Sequence, residues 1–397
     1  VSADTQLPPA LGTPFTLAVS LAPYVAGVHR VEGGAGNAVA LSSDGDTALV
    51  GGGAGKVWVF VRSASGWTQQ AELTRNGARP GEGFGCSVAL SADGNVAVVG
   101  APGTSASLEG PAVPGAAVVF TREGQTWTEQ AQLTPSDEVN PGMEQCFGFG
   151  FGTSVALSGE GTTVLVGNGA DNQDRGAAWV FTLAGGAWVQ QGPKLTPTDE
   201  SRAGRFGAYL ALSSDGSTAL ISAFGSLECR GSGEFEGQAW IFSREGDSWR
   251  QSTELIPRPR VCGEELGSSL ALSGDGSTAL LAAGAKGPWS FTRSGPSWSQ
   301  QRTRLMVEPG LTSDTLAGPE GQFGETVALD GNGSTALVAG IYITHCGKYM
   351  DAPCPIPGAV WTFARFGSAW VEQGEPLASH RFDFGSHLAL SGTAPRR

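Results

Sequence analysis

Lysine is nearly missing from this 397-residue chain: only Lys56, Lys194, Lys286 and Lys348 occur, and the formal net charge is −13. With so few cations there is no basic surface to neutralise phosphates, so nucleic acid is excluded as a partner. An uninterrupted apolar run of roughly 20 residues, the length of a membrane span, is also missing. Residues 15–25 come nearest and are too short. An apolar 3.6-residue period does not persist anywhere, which excludes core helices.

The usual marks of chemistry are absent too. The four histidines, His29, His345, His380 and His387, share no metal-ligand spacing, and there is no HExxH or GxSxG motif. The Gly-rich stretches 33–36 and 51–55 lack the Lys-Ser/Thr and helix that phosphate binding needs, so they read as turns. No cysteine pair has CxxC spacing, which argues against zinc or redox work. No basic stretch precedes an apolar one at the start, which is compatible with a leader removed before Val1.

Glycine, by contrast, is abundant at 61 residues, while charged residues are 15 %. That balance favours an all-β fold with many tight turns. One phrase returns seven times, at residues 37–42, 87–91, 154–158, 209–213, 269–273, 326–330 and 387–391. It centres on Val-Ala-Leu or Leu-Ala-Leu. A Phe-Gly pair usually precedes it, as at Phe84-Gly85, Phe151-Gly152, Phe206-Gly207, Phe323-Gly324 and Phe384-Gly385. A polar turn, a second apolar run, a third run with an aromatic centre and a fourth run opened by Trp follow. Short runs rich in Val, Thr, Trp and Phe, bounded by Gly, Asp and Ser, are strands joined at hairpin distance. Four antiparallel strands per repeated unit make a propeller blade.

All eleven tryptophans fall inside this pattern. Trp58, Trp179, Trp240, Trp289 and Trp361 belong to third strands, and Trp67, Trp127, Trp188, Trp249, Trp298 and Trp370 open fourth strands. Blade 2 carries Val118 in place of the third-strand Trp. Placement this regular points to packing between blades rather than to sugar platforms.

The cadence of residues 84–101 resembles the FG-GAP repeats of bacterial extracellular proteins, distant relatives of the integrin α-subunit propeller. The resemblance covers residues 31–391 and implies the fold; the fold hosts many activities. Integrin-type repeats often hold calcium in an Asp-rich loop between the first two strands. Here those turns are short and poor in carboxylates, and they read as hairpin turns in which Asp bonds its own backbone.

Six units are complete, and the seventh has only its first strand. Residues 1–35 contain two strand-like runs, 15–20 and 24–31. The expected architecture is therefore a seven-bladed β-propeller, with residues 36–397 giving blades 1–6 and the first strand of blade 7. The N-terminal segment, residues 1–35, contributes strands to that closing blade, so the last blade is shared between the two termini and the ring has no open sheet edge. The rival arrangement sends those N-terminal strands to a neighbouring subunit, giving self-assembly into a filament.

Alternating strand direction puts the 4→1 and 2→3 loops on one rim. All long insertions sit there, at 102–114, 134–150, 224–236, 306–322 and 341–357. Loops on rigid scaffolds carry function disproportionately, so this rim is the binding face for a protein or glycan. Cys86, Cys146, Cys229, Cys262, Cys346 and Cys354 map to the same rim. Fifteen pairings are formally open. Proximity favours Cys346–Cys354, Cys229–Cys262 and Cys86–Cys146 as structural staples in an oxidising, extracellular setting. Asp137, Asp171, Asp174 and Asp199 could offer oxygen ligands to calcium on this rim, against the plainer alternative of solvated loop acids. No cofactor is otherwise implied. A secreted, non-enzymatic binding or adhesion propeller is the expected function, with a strand-sharing filament subunit as the alternative. A hydrolase at the central pore ranks last, because only Glu325 and His387 lie near the axial ends of first strands.

Overall fold

In the computed structural model the described residues are 35–52, 55–78, 81–103, 113–139, 150–198, 204–228, 235–258, 266–284, 287–301, 304–306, 321–342, 358–379 and 385–392. They form six antiparallel sheets, five of four strands and one of five, with four strands of each in sequence order from the inside outward. Blade 1 comprises Ala35–Leu41, Thr47–Gly52, Lys56–Ser63 and Gly66–Leu73; blade 2 comprises Ser87–Leu90, Val96–Ala101, Ala116–Glu123 and Thr126–Leu133. Blade 3 is built from Ser154–Leu157, Thr163–Asn168, Ala177–Ala184 and Ala187–Gln190, and blade 4 from Phe206–Leu212, Thr218–Glu228, Phe235–Glu245 and Ser248–Leu255. Blade 5 takes Leu270–Leu272, Thr278–Leu281, Trp289–Ser294 and Ser297–Gln300. Blade 6 takes Gly321–Leu329, Thr335–Tyr342, Gly358–Phe366 and Ala369–Glu372, and Leu377–Ser379 rejoins its third strand.

The seven-bladed ring with a shared last blade is thereby corrected: the structure has six blades. The seventh phrase, 387–391, forms no strand. Its apolar alternation specifies a face to bury but not a partner to pair with, and no described strand offers one. Leu388 and Leu390 instead pack on Ala328, Leu337, Ala339 and Val360 of blade 6. The runs 15–20 and 24–31 lie outside the described residues.

The core sits between blades. Leu49, Val57, Val59 and Leu73 of blade 1 meet Ala97, Val99, Val118 and Phe120 of blade 2, with Phe84 and Val88 between them. The Phe of each described Phe-Gly pair seats edge-on against the aromatic of its own blade's third strand, as Phe151 does on Trp179 at 5.3 Å, and Phe206 on Trp240 at 5.5 Å. The following glycine is required: Gly152 has φ +96°, and a Cβ there would collide with the carbonyl oxygen of Ala116.

Three further bonding patterns join the blades, and none was anticipated from the sequence. Ser87 Oγ donates to Gly152 O (2.8 Å) and Ser154 Oγ to Gly207 O (2.7 Å), each crossing to the next blade. In blade 4 Tyr209 takes that serine's place, and Ser222 on the second strand supplies the hydroxyl to Gly267 O (2.9 Å). On the outside, Trp127, Trp188 and Trp249 donate their indole N–H to Gln70, Gln130 and Gln191 of the preceding blade. Gln70 and Gln130 sit at β-bulges, the device that turns their amides toward the neighbour. The third pattern is a chain of backbone bonds between 1→2 turns, running Ser43 to Ala92, Ala92 to Gly159, Gly159 to Ser214, and Ser214 to Gly274.

Four of those turns, in blades 1, 2, 4 and 5, are fixed by a Ser-x-Asp contact. Ser91 Oγ donates to Asp93 Oδ1 (2.6 Å), Ser213 Oγ to Asp215 Oδ1 (2.5 Å) and Ser273 Oγ to Asp275 Oδ1 (2.5 Å). Burial pushes these carboxyls up, but the hydrogen bonds outweigh it and hold Asp93, Asp215 and Asp275 below the ordinary value of 3.8. A depressed carboxyl stabilises the fold above its unfolded pKa and loses that contribution as pH falls through its folded pKa. The thermal midpoint should therefore stay level in this respect down to that value of 3.8 and then fall with further acid. A midpoint indifferent to acid below it would contradict this account of the turns.

Candidate functional site

The long-loop rim of blade 3 gathers charge around one buried acid. Asp171, 0 % exposed, follows the second strand, where the chain turns toward the third. Its Oδ1 accepts the Val139 N–H at 2.6 Å, and its Oδ2 lies 2.5 Å from Lys194 Nζ. Lys194 arrives because the fourth strand stops at Gln190, just before Gly192-Pro193, and Leu195 then rejoins the sheet opposite Ala178. Proline has no N–H for a ladder, so the break falls there. The ammonium also stands 5.8 Å from the centre of the Trp179 ring.

Asp137 braces the same group. It accepts the Trp179 indole N–H (2.7 Å) and the Gln190 amide (3.1 Å) on Oδ1, and the Lys194 backbone N–H (3.0 Å) on Oδ2. Burial pushes its carboxyl up, yet these bonds and the Lys194 charge hold it below the ordinary carboxylate range. Glu138 behaves oppositely: burial raises it, the Asp171 charge adds to that, and the Asn168 amide (2.6 Å) and Lys194 only partly offset both.

The backbone after Asp171 is strained. Asn172, Gln173 and Asp174 are three successive non-glycine residues at φ 51°, 61° and 62°. Each such residue costs of order 1–3 kcal/mol and persists only where its surroundings over-determine it. Here Asn172 N bonds Val139 O (3.0 Å), Gly176 N bonds Asp171 O (2.9 Å) and Arg205 N bonds Asp174 O (2.7 Å). Gln173, Asp174 and Arg175 are left exposed at the tip.

Of the acids singled out from the sequence, Asp137 and Asp171 come together on Lys194, Asp174 points away at the exposed turn, and Asp199 lies outside the described residues. The pair does not suit calcium: Lys194 holds the cation's place, and both oxygens of each carboxylate are already engaged. Among the described residues no three His, Cys, Asp or Glu side chains converge as a metal group. Glu325 and His387 each already have an interaction partner. Cys86 is disulfide-bonded; Cys146, Cys229, Cys262, Cys346 and Cys354 lie outside the described residues. The sequence reading missed the parts that Lys194 and Asn168 play here, while Glu138 was visible only as a loop acid beside Asp137. A signal was present in the phrase Leu-Thr-Pro-Ser/Thr-Asp-Glu, which occurs at 133–138 and again at 195–200.

With this arrangement in hand, the class is plain: the chain is a β-propeller. The FG-GAP repeat family model matches residues 67–120 and 127–181. Each match opens on a fourth-strand Trp and ends on the third-strand Phe of the next blade, so the stretch from blade 1 to blade 3 is similar to FG-GAP repeats within a β-propeller. Among solved structures it is similar to the β-propeller domain of Cps50 (Swd1) from Myceliophteria thermophila, at 10 % identity and TM-score 0.54, over 87 % of this chain and 88 % of that one. Identity that low speaks to the fold alone. Hydrazine synthase of Kuenenia stuttgartiensis aligns at 13 % identity and TM-score 0.49, over 85 % and 80 % of the two chains, too distant to support an argument. No curated protein matches. Among the described residues no helix is long and apolar enough to cross a membrane.

Proposed function

We propose that this FG-GAP propeller is a secreted, non-enzymatic binding or adhesion module that meets a protein or glycan with its long-loop rim. The observation that carries this reading is the contrast between the rims. One is closed by short turns bonded to each other, while the other is where the sequence places its long insertions and carries a strained, braced tip at 172–174. A stiff scaffold under irregular loops suits recognition, because little order is lost on binding. Disulfides among the rim cysteines, with Cys86–Cys146 the favoured pair for blade 3, would stiffen it further. The acidic composition and the cysteines support an extracellular setting.

The test is a glycan array and an array of extracellular proteins probed with the labelled chain. Against any ligand found, Gln173→Ala/Asp174→Ala/Arg175→Ala should weaken binding about tenfold or more, equivalent to about 1.4 kcal/mol. Glu123→Ala/Glu245→Ala on the opposite rim should not. Equal loss from both sets would sink the rim assignment. A second reading, a subunit that assembles by strand sharing, draws on the outer edge of blade 6. There Gln373 turns its amide N–H to its own strand's carbonyls rather than being matched with a neighbour's indole. Fibres in place of discrete particles, with both arrays silent, would favour it.

A further inference from the structure

We propose that Lys194 and Asp171 condense to an isopeptide bond, covalently tying the fourth-strand break of blade 3 to the strained turn at 172–174. This goes beyond the binding reading and does not rest on it. Lys194 Nζ lies 2.5 Å from Asp171 Oδ2, so it stands roughly 3–3.5 Å from Cγ, the separation of a near-attack pair. Asp171 is 1 % exposed in its side chain and Lys194 19 %, which keeps water from competing. The other oxygen, Oδ1, already accepts the Val139 N–H at 2.6 Å, a backbone donor placed where negative charge develops during attack on Cγ. Glu138, the residue before Val139, is close enough to feel the charges of both reactants, and burial favours its protonated form. It is suited to relay protons between them.

The step balances without a co-reactant. The ammonium first passes a proton across its contact to Oδ2, leaving a neutral amine and a neutral acid. The Nζ–Cγ bond forms and the Cγ–Oδ2 bond breaks. The amine gives up a second proton, which reaches the leaving oxygen through Glu138, and Oδ2 departs as water. Oδ1 stays as the amide carbonyl on the Val139 N–H. No charge remains buried, and Glu138 ends as it began.

Intact-mass measurement of the reduced, folded chain tests this directly. The expected mass is one water below that calculated from the sequence, and a digest should yield a branched peptide joining the segments around residues 171 and 194. Lys194→Arg should restore the full mass. Glu138→Gln should leave a measurable fraction of chains at full mass, falling only slowly with time, while the fold persists. A wild-type chain at full mass, or a water lost elsewhere, overturns the proposal. The wild-type reading holds even if a variant fails to fold.

Discussion

Truncating Phe151 to alanine should lower stability by about 3–5 kcal/mol, the range for deleting a buried aromatic, and show as a clear drop in the denaturant midpoint. Phe151 is fully buried and lies in the same cluster as Val98, Val119 and Leu133 of blade 2 and Trp179 and Phe181 of blade 3. Its ring meets Trp179 edge-on at 5.3 Å and Phe181 at 6.2 Å. The walls around it are strands bonded on both sides, which cannot collapse into the space. Leucine should recover part of the loss by filling volume, without recovering the edge-to-face contacts. An alanine variant as stable as the parent would mean that blades 2 and 3 are not held by this cluster.

Lys194→Ala should be nearly as damaging, at about 3–5 kcal/mol, because it leaves Asp171 as a buried carboxylate with neither the counter-charge nor the amide link that Lys194 supplies. Two consequences separate this from a lost surface pair, whose removal typically costs under about 1 kcal/mol. The turn at 172–174 depends on Asp171 being held in place, so amide exchange there should rise more than in blade 6. The double variant Lys194→Met/Asp171→Leu should be more stable than the single truncation, since it removes the stranded charge. If the single and double variants were equally stable, a stranded Asp171 charge would not be what destabilises the single one.

Much of the architecture is readable in the residues themselves. The recurring Val-Ala-Leu phrase predicts the innermost strand, and each of its first six occurrences falls in one. The tryptophans predict third and fourth strands, and all eleven lie there. The pattern misled at its seventh occurrence, because alternation specifies which side chains are buried, and pairing depends on what else is available alongside. Leu388 and Leu390 satisfy the same burial without a ladder. The outer bonding between blades was harder to foresee. Gln70 and Gln130 look like ordinary exposed strand residues until a bulge redirects them. The charged group on blade 3 is less legible still, since Asp171, Lys194 and Glu138 lie on three segments and only the fold makes them neighbours. Its visible traces were the repeated Leu-Thr-Pro-Ser/Thr-Asp-Glu phrase and the rarity of lysine in the chain.

The chain of turn-to-turn bonds has a consequence for how the molecule is made. Gly392 sits against Gly331 of blade 6 on one side and Ser43 of blade 1 on the other. A polypeptide leaving the ribosome can stack its sheets in the order they emerge, each against the one before. The first and last described sheets cannot be joined through this residue until residue 392 has been translated, and that contact is among the longest-range of the described residues. Joining should therefore be slow and follow the stacking of the six blades.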